Sequence, residues 1–203
     1  MKSIKLLGLA LILGLIMTSC KKDPVIAADP VETQTVTNLY APADVRDHQT
    51  GEVTTMNEYV YFDFSTGKTV DKTAGWDIAF KGTSIIVNGG VNGTGNVSVS
   101  IVTSTFADLK EVPSADQFKQ DTESGTAIPS GSGNGWYNYN PANHLITPIA
   151  GKIIVVKTSN GNYAKMEILS YYENAPINPD PSVDKQDTFT FNYAYQKNGT
   201  GHF

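Results

Sequence analysis

Apolar and polar residues alternate along much of the chain after residue 58, with the period of β-strands that bury one face. The alternation is clearest in Val97–Val102, and the other segments of this kind are rich in aromatic and β-branched residues. Turn signals such as Asn160-Gly161, two residues that tolerate positive φ, separate neighbouring segments. The pattern predicts strands at 59–64, 76–80, 84–87, 97–102, 153–157, 163–172 and 189–195. Such a set of strands indicates an all-β fold, an antiparallel sandwich or a barrel-like sheet.

Three segments interrupt the strand pattern. Residues 106–120 have a helical composition that Pro113 breaks, so at most one short helix is expected there. Residues 121–134 are rich in Ser, Gly and Thr, and residues 172–187 contain three prolines. Both are predicted to be long surface loops, where all-β scaffolds usually carry their binding groups.

The N-terminus has the features of an export signal. Lys2 and Lys5 precede an apolar run, 6–17, that is too short to span a bilayer, and the small residues Thr18 and Ser19 lead from it to Cys20. The segment resembles a bacterial lipoprotein signal, so residues 1–19 are predicted to be removed and Cys20 to be acylated. The protein is then lipid-anchored at the outer membrane, on the cell surface or its periplasmic face. The alternative is an ordinary secretory signal with an incidental cysteine.

Residues 20–37 contain prolines and scattered acids without a regular apolar period, and are predicted to be a flexible tether. An edge strand that begins near Val31 is the alternative for the last few of them. The remaining residues, 38–203, are expected to form a single β domain.

Charge and cysteine content exclude several classes of function. The net charge is -5, and it becomes about -7 once Lys2 and Lys5 are removed, which is the wrong sign for nucleic-acid binding. Cys20 is the only cysteine, so a disulfide scaffold is excluded. With Cys20 acylated, no thiolate is left to act as a nucleophile or a metal ligand.

Six short segments together resemble the HmuY family of haem-binding lipoproteins from Gram-negative bacteria. They are Tyr61–Gly67, Trp76–Phe80, Asn88–Gly90, Gly135-Trp136, Tyr163–Met166 and Phe189–Tyr193. The Trp76–Phe80 segment ahead of a Gly-Gly turn is the most specific of them. The resemblance implies an all-β, lipid-anchored, non-enzymatic protein at the cell surface. It also implies haem capture from host carriers for iron acquisition, with delivery to an outer-membrane receptor.

The haem ligands of the family are matched only in part. The best known member holds the iron between two histidines, one before the Gly-Trp segment and one a few residues after it, and some relatives use methionines. Residues 81–135 contain neither His nor Met, so the first ligand has no counterpart here. His144 lies eight residues after Trp136, near the region of the second ligand. We therefore take His144 as the candidate axial ligand, with a solvated loop histidine as the alternative.

Other residues near the candidate site have alternative interpretations. A second iron ligand would have to be Met56, Met166, Tyr137 or Tyr139, although both methionines are expected to pack in the core. Four tyrosines either form a flat surface for a porphyrin or sugar ring or simply face outward from strands: Tyr137, Tyr139, Tyr171 and Tyr172. Lysines in loops, such as Lys119 or Lys152, could meet the haem propionates.

The remaining candidates for chemistry are weaker. His48 and His202 are expected to be exposed and inert, and the three histidines lack the spacing of a zinc site. Ser130–Gly135 lacks the context of a nucleophile elbow, and acid pairs such as Asp121 with Glu123 lie in predicted loops. The acidic loop 173–187 lacks the spacing of a calcium site, so its charges are expected to be solvated.

The sequence thus predicts a lipid-anchored surface protein that binds haem or a similar planar ligand. The alternative is an envelope interaction or structural lipoprotein that keeps the fold and has lost the haem ligands.

Overall fold

The computed structural model describes residues 31–203, which form an all-β structure with thirteen strands and one 3₁₀ turn. The strands are β1 (Thr33–Tyr40), β2 (Val45–Arg46), β3 (Val53–Thr55), β4 (Val60–Asp63), β5 (Lys68–Val70), β6 (Ile78–Lys81), β7 (Ser84–Val87), β8 (Ser98–Thr103), β9 (Tyr137–Asn140), β10 (Leu145–Pro148), β11 (Lys152–Lys157), β12 (Tyr163–Ser170) and β13 (Thr188–Gln196). The signal segment 1–19 and Cys20 lie outside the described residues.

Two antiparallel sheets and two hairpins account for all of these strands. The larger sheet has the order β1-β13-β12-β11-β8, and the smaller one has the order β5-β4-β6-β7. The hairpins are β2–β3 and β9–β10. The prediction of an antiparallel, sandwich-like all-β fold is confirmed.

The main core lies between the two sheets and is largely aromatic. Phe62 of β4 meets Phe191 of β13 at a ring-centroid distance of 5.4 Å, and Phe80 of β6 meets Phe189 at 4.8 Å. Met166 of β12 is fully buried in the same cluster, as its inward position in the alternation predicted. Aromatic pairs of this kind, the first edge-to-face and the second tilted, join the faces of the two sheets and so stabilise the sandwich.

The first strand, β1, begins inside the segment that was predicted to be a flexible tether. Residues 33–37 belong to β1, which pairs with β13 from Thr33↔Ala194 to Tyr40↔Thr188 and buries Leu39. The prediction that the tether reaches residue 37 is therefore wrong at that end, because ladder hydrogen bonds to β13 order these residues. The edge-strand alternative accounts for them.

The loops differ from their predicted structures in two places. The helical segment expected within 106–120 is reduced to the 3₁₀ turn Ala115–Gln117. The β11–β12 hairpin has the turn expected near Asn160-Gly161, but it is longer than two residues, with Thr158 N donating to Asn162 O at 2.9 Å. Only Gly161 of that pair has positive φ, at 83°.

Lys165 of β12 binds the segment that contains Phe106 and Leu109 on the outer face of the larger sheet. Lys165 is 5% exposed, and its ammonium donates to the carbonyl oxygens of Phe106 and Leu109, both at 2.7 Å. Burial lowers the pKa of Lys165, and the nearby Lys110 adds to this effect. The C-terminal residues join the same segment, since Val112 N donates to Gly201 O and Phe203 N donates to Lys110 O.

Candidate functional site

The β9–β10 hairpin carries the candidate ligand and is anchored at its base. Trp136, immediately before β9, is 2% exposed and donates its indole N–H to Thr83 O at 3.0 Å. Ile146 N of β10 donates to the hydroxyl of Tyr172 at 3.0 Å. Burial raises the pKa of Tyr172, so this phenol stays neutral near pH 7. The base of the hairpin is therefore held by buried aromatic groups, while its tip is exposed.

His144 occupies the turn at that tip. Its φ is +57°, in the left-handed region that His tolerates better than most residues, and the side chain is exposed. The side-chain oxygens of Asn140 and Asn143 accept hydrogen bonds from Ala142 N and Leu145 N, which shape the turn. This backbone conformation directs the imidazole away from the core.

The imidazole is oriented by a neighbouring tyrosine. The Tyr139 hydroxyl and His144 Nδ1 are 2.6 Å apart, and their ring centroids are 6.1 Å apart. A phenol can either donate or accept, so the pair allows both tautomers of the neutral imidazole. In the tautomer with the proton on Nδ1, Tyr139 accepts and the lone pair of Nε2 is available to a metal.

Of the four residues considered as a second iron ligand, only Tyr139 contacts His144. Met166 lies in the core, and Tyr137 is 8% exposed at the base of the hairpin. Met56 is 76% exposed, so the prediction that it packs in the core is wrong. It follows the short β3 strand, whose residues are all exposed and offer it no apolar surface.

The four tyrosines do not form the flat surface that one interpretation expected. Tyr137, Tyr171 and Tyr172 are at most 8% exposed, and only Tyr139, at 38%, is exposed. The alternative of outward-facing strand tyrosines is also wrong for these three. Tyr171 packs against Trp136 at a centroid distance of 5.6 Å and donates a hydrogen bond to Asp187 Oδ1. These aromatic rings therefore support the hairpin from below.

A cavity of about 520 Å³ opens at the β8 edge of the core. Both lysines suggested for propionate binding, Lys119 and Lys152, line it, together with Val99, Ile101, Pro129 and Asn134. The loop 126–135 connects it to the hairpin, because Ser132 Oγ accepts a hydrogen bond from Tyr139 N at 2.8 Å. The volume falls within the range of small-molecule sites. His144 does not line this cavity, nor either of two other cavities among residues 31–203, of about 590 and 470 Å³.

The other titratable candidates lie in different environments, since Asp121 is 1% exposed whereas Glu123 is exposed. His48 and His202 are exposed, and His202 Nδ1 is 3.7 Å from Glu111 Oε1. Across residues 31–203, no group of three or more His, Cys, Asp or Glu side chains is placed to hold a metal ion. Within the same range, no helix is long and apolar enough to cross a membrane.

The β9–β10 hairpin itself escaped the sequence analysis, although a signal for it was present. Tyr137 and Tyr139 alternate with asparagine, and Asn140-Pro141 is a turn dipeptide followed by the apolar pair Leu145-Ile146. That is the pattern of a short hairpin with a four-residue turn. Recognising it would have paired Tyr139 with Ile146, two residues from His144.

Comparison with known proteins gives a family match and distant structural likenesses. The family model of the HmuY protein matches residues 55–193. None of the curated proteins matches the chain. The apo HmuY analog of Tannerella forsythia is 15% identical, with 84% of this chain and 99% of that chain covered and a TM-score of 0.45. Apo PinO from Porphyromonas gingivitis is 17% identical, with 83% and 98% covered and a TM-score of 0.46.

The family assignment rests on the family model, because the two structures are too distant to add to it. The model spans more than half of the chain and includes the smaller sheet, the β9–β10 hairpin and the larger sheet except β1 and the end of β13. The chain therefore belongs to the HmuY family, whose members are haem-binding proteins and not enzymes.

Proposed function

We propose that this protein binds haem at the bacterial surface, with His144 as a single axial ligand. The observation that carries the proposal is the exposed imidazole whose Nδ1 is held by Tyr139, in a chain of a haem-binding family. Nε2 would donate its lone pair to the iron, while Tyr139 accepts the Nδ1 proton and fixes the ring orientation. With one protein ligand to the iron, the affinity for haem should be lower than that of a family member that supplies two.

The lysines of the 520 Å³ cavity support the same proposal. Lys119 and Lys152 are brought to one cavity from separate parts of the chain, and their positive charges are suited to carboxylates. Asp116 also lines the cavity, and the two lysines outnumber this one acid. The cavity lies beside the 126–135 loop that also contacts Tyr139. We therefore include these two lysines as binding groups for the propionates.

The anchor, the location and the partners are part of the proposal too. Acylated Cys20 would hold the protein at the outer membrane. Haem would come from host carriers and pass to an outer-membrane receptor. The family assignment supports this sequence of events, and the passive mechanism requires no catalytic residue.

Haemin titration of the purified protein tests the role of His144. The unaltered protein should give a shifted Soret band that saturates at one haem per chain. His144→Ala should weaken binding by about tenfold or more, because the only protein bond to iron is lost. His48→Ala, which removes an exposed loop histidine far from the hairpin in sequence, is the matched control and should bind like the unaltered protein. Equal affinities for His144→Ala and the control would reject this ligand.

Replacing Lys119 and Lys152 together by glutamine tests the propionate contacts. We expect haem affinity to fall by about threefold to tenfold, because each exposed charge pair contributes at most about 1 kcal/mol. The loss should shrink as salt is raised. Lys68→Gln with Lys72→Gln changes the net charge equally at exposed positions on the smaller sheet and its flanking turn, and should leave affinity unchanged. Equal losses in both double variants would show a general charge effect instead of a local contact.

The second candidate function is an interaction or structural role in the envelope without haem. It is favoured by two observations: His144 is outside the walls of the described cavities, and residues 81–135 supply no first ligand. An unshifted Soret band in the haemin titration would decide for this function.

A further inference from the structure

A second cavity, of about 590 Å³, lies on the outer face of the larger sheet. Lys157 of β11 is in register with Ser98 of β8 and Tyr163 of β12, so these three side chains share one face. All three line the cavity. Val156 and Val99, one position along their strands, point to the opposite face and are buried in the core. The cavity therefore opens away from the core and away from the Lys119–Lys152 cavity.

Residues 118–120 separate the outer cavity from the Lys119–Lys152 cavity and contribute side chains to both. Lys119 pairs with Val99 through two backbone hydrogen bonds of 2.8 Å, so the residues around Lys119 run as an extended strand along the edge of β8. Successive side chains of an extended segment point to opposite sides. Phe118 and Gln120 accordingly line the outer cavity, while Lys119 lines the inner one.

An aromatic pair forms one wall of the outer cavity. The rings of Phe118 and Tyr163 have their centroids 6.0 Å apart and are tilted by 53°, and both residues are half-buried. Tilted rings form a concave apolar surface suited to a small puckered ring. A porphyrin would need a wide flat surface, and the lining of this cavity contains no His, Met or Cys.

Polar groups that can both donate and accept hydrogen bonds also line this cavity. Gln120 Nε2 donates to Asn96 Oδ1 at 3.2 Å and to Val97 O at 3.1 Å. This leaves the Gln120 carbonyl oxygen as an acceptor and the Asn96 amide nitrogen as a donor. Among the ion pairs formed within residues 31–203, none involves Lys157, whose ammonium can therefore serve a ligand.

Asp121 also lines the cavity, but its carboxylate already accepts hydrogen bonds from three groups of the protein. Its two oxygens accept hydrogen bonds from Val87 N at 2.8 Å, Asn92 Nδ2 at 3.0 Å and Ala127 N at 2.7 Å, and the residue is 1% exposed. The lining therefore combines an aromatic pair, amide groups and the Lys157 cation.

We propose that this outer cavity binds a saccharide ring. A pyranose presents C–H groups on its face, which pack on Phe118 and Tyr163, and hydroxyl groups on its rim, which match the amides of Asn96 and Gln120. Lys157 donates to a rim hydroxyl or to the carboxylate of an acidic sugar. The site is independent of the haem proposal, because it shares no lining residue with the Lys119–Lys152 cavity.

Ligand-observed NMR with three sugars tests the proposal. Saturation-transfer difference spectra are recorded for the purified protein with methyl β-D-glucopyranoside, N-acetyl-D-glucosamine and D-glucuronate. At least one sugar should show transfer, and amide shifts in isotope-labelled protein should be confined to residues that line the outer cavity. Phe118→Ala should weaken that binding by about tenfold, since it removes half of the aromatic wall.

Two further variants separate the contributions and control for misfolding. Lys157→Gln should weaken glucuronate more than the neutral sugars, which distinguishes a carboxylate contact from a hydroxyl contact. Tyr40→Ala removes an exposed aromatic ring outside the cavity and should bind sugar like the unaltered protein. Absence of transfer for all three sugars, or equal binding by Phe118→Ala and Tyr40→Ala with native thermal unfolding, overturns the proposal. His144→Ala should leave sugar binding intact, so this test and the haemin titration fail separately.

Discussion

Replacing Asp121 by alanine is expected to lower the free energy of unfolding by about 3 kcal/mol. The carboxylate accepts from two backbone N–H groups, Val87 N and Ala127 N, which belong to β7 and to the loop before Trp136. Alanine leaves the fully buried Val87 N–H, and the half-buried Ala127 N–H, without that acceptor. The same side chain also holds Asn92 in the glycine-rich loop. Urea unfolding monitored by tryptophan fluorescence would measure the loss.

The backbone around Asp121 adds to the expected effect. Gly90 has a φ of +65° and lies so close to Asp121 that a Cβ at this position would overlap the Asp121 carbonyl oxygen. Val91 N donates to that oxygen at 3.1 Å. The 88–97 loop and the 121–127 segment are thus joined by both main-chain and side-chain contacts, and Asp121 is shared between them.

Glu123→Ala is the matched control for this prediction. Glu123 is an exposed carboxylate two residues away in the same segment, so its loss should change stability by less than about 0.5 kcal/mol. Asp121→Asn should fall between the two, because it keeps one acceptor oxygen and puts an amide donor where the second acceptor was. Similar unfolding midpoints for Asp121→Ala and Glu123→Ala would contradict the assignment of Asp121 as the shared acceptor.

The larger part of the fold could be predicted because it depends on a local pattern. In β8, Val99 and Ile101 return to the core face every second residue, whereas β11 is a continuous apolar run because Ile153–Val156 are buried on both faces. Either pattern indicates a strand, whatever that strand pairs with. The sequence placed residues 33–37 of β1 in the tether because they show no regular apolar period, and in the structure Leu39 is the one buried residue of this strand. Its order comes from hydrogen bonds to β13, more than 140 residues away, which composition does not reveal.

The candidate site could be predicted only by residue type. The position of His144 after Trp136 identifies it as a candidate, but its contact with Tyr139 depends on the turn of the β9–β10 hairpin, which residue type alone does not specify. The convergence of Lys119 and Lys152 on one cavity depends on the pairing of β8 with β11 and with the Lys119 segment. The buried acids were missed for a related reason. Asp121 and Glu123 are neighbours of the same chemical type, yet only the former meets buried N–H groups.

Asp77, the second buried acid, predicts a pH dependence of folding. It lies in the family segment Trp76–Phe80 and is 6% exposed, with Phe64 N donating to its Oδ2 at 2.9 Å. Burial raises the pKa of Asp77 from 3.8 to about 6; the Phe64 hydrogen bond opposes the rise and the Asp63 charge adds to it. The folded state therefore binds more protons than the unfolded state between these two values.

Stability should accordingly fall as the pH rises through this interval. The contribution of Asp77 is fully present below about pH 4 and is lost as the pH rises through about 6, and a shift of this size corresponds to about 3 kcal/mol. Asp77→Asn keeps an oxygen that can accept from Phe64 N and cannot ionise. We therefore expect the variant to lack this fall, so that its stability relative to the unaltered protein increases between about pH 4 and pH 7.

Urea midpoints measured at intervals from about pH 4 to pH 7 test this expectation, with Trp76 as an adjacent fluorescence reporter. Asp71→Asn removes an exposed carboxylate six residues earlier, and its stability difference from the unaltered protein should stay flat over the same range. Comparing the pH dependence of stability in Asp77→Asn and Asp71→Asn isolates the effect of Asp77, because all other carboxylates are present in both variants. A flat difference for Asp77→Asn would show that its carboxyl group ionises as readily in the fold as in the unfolded chain, and the contact with Phe64 N would then be strong enough to offset burial.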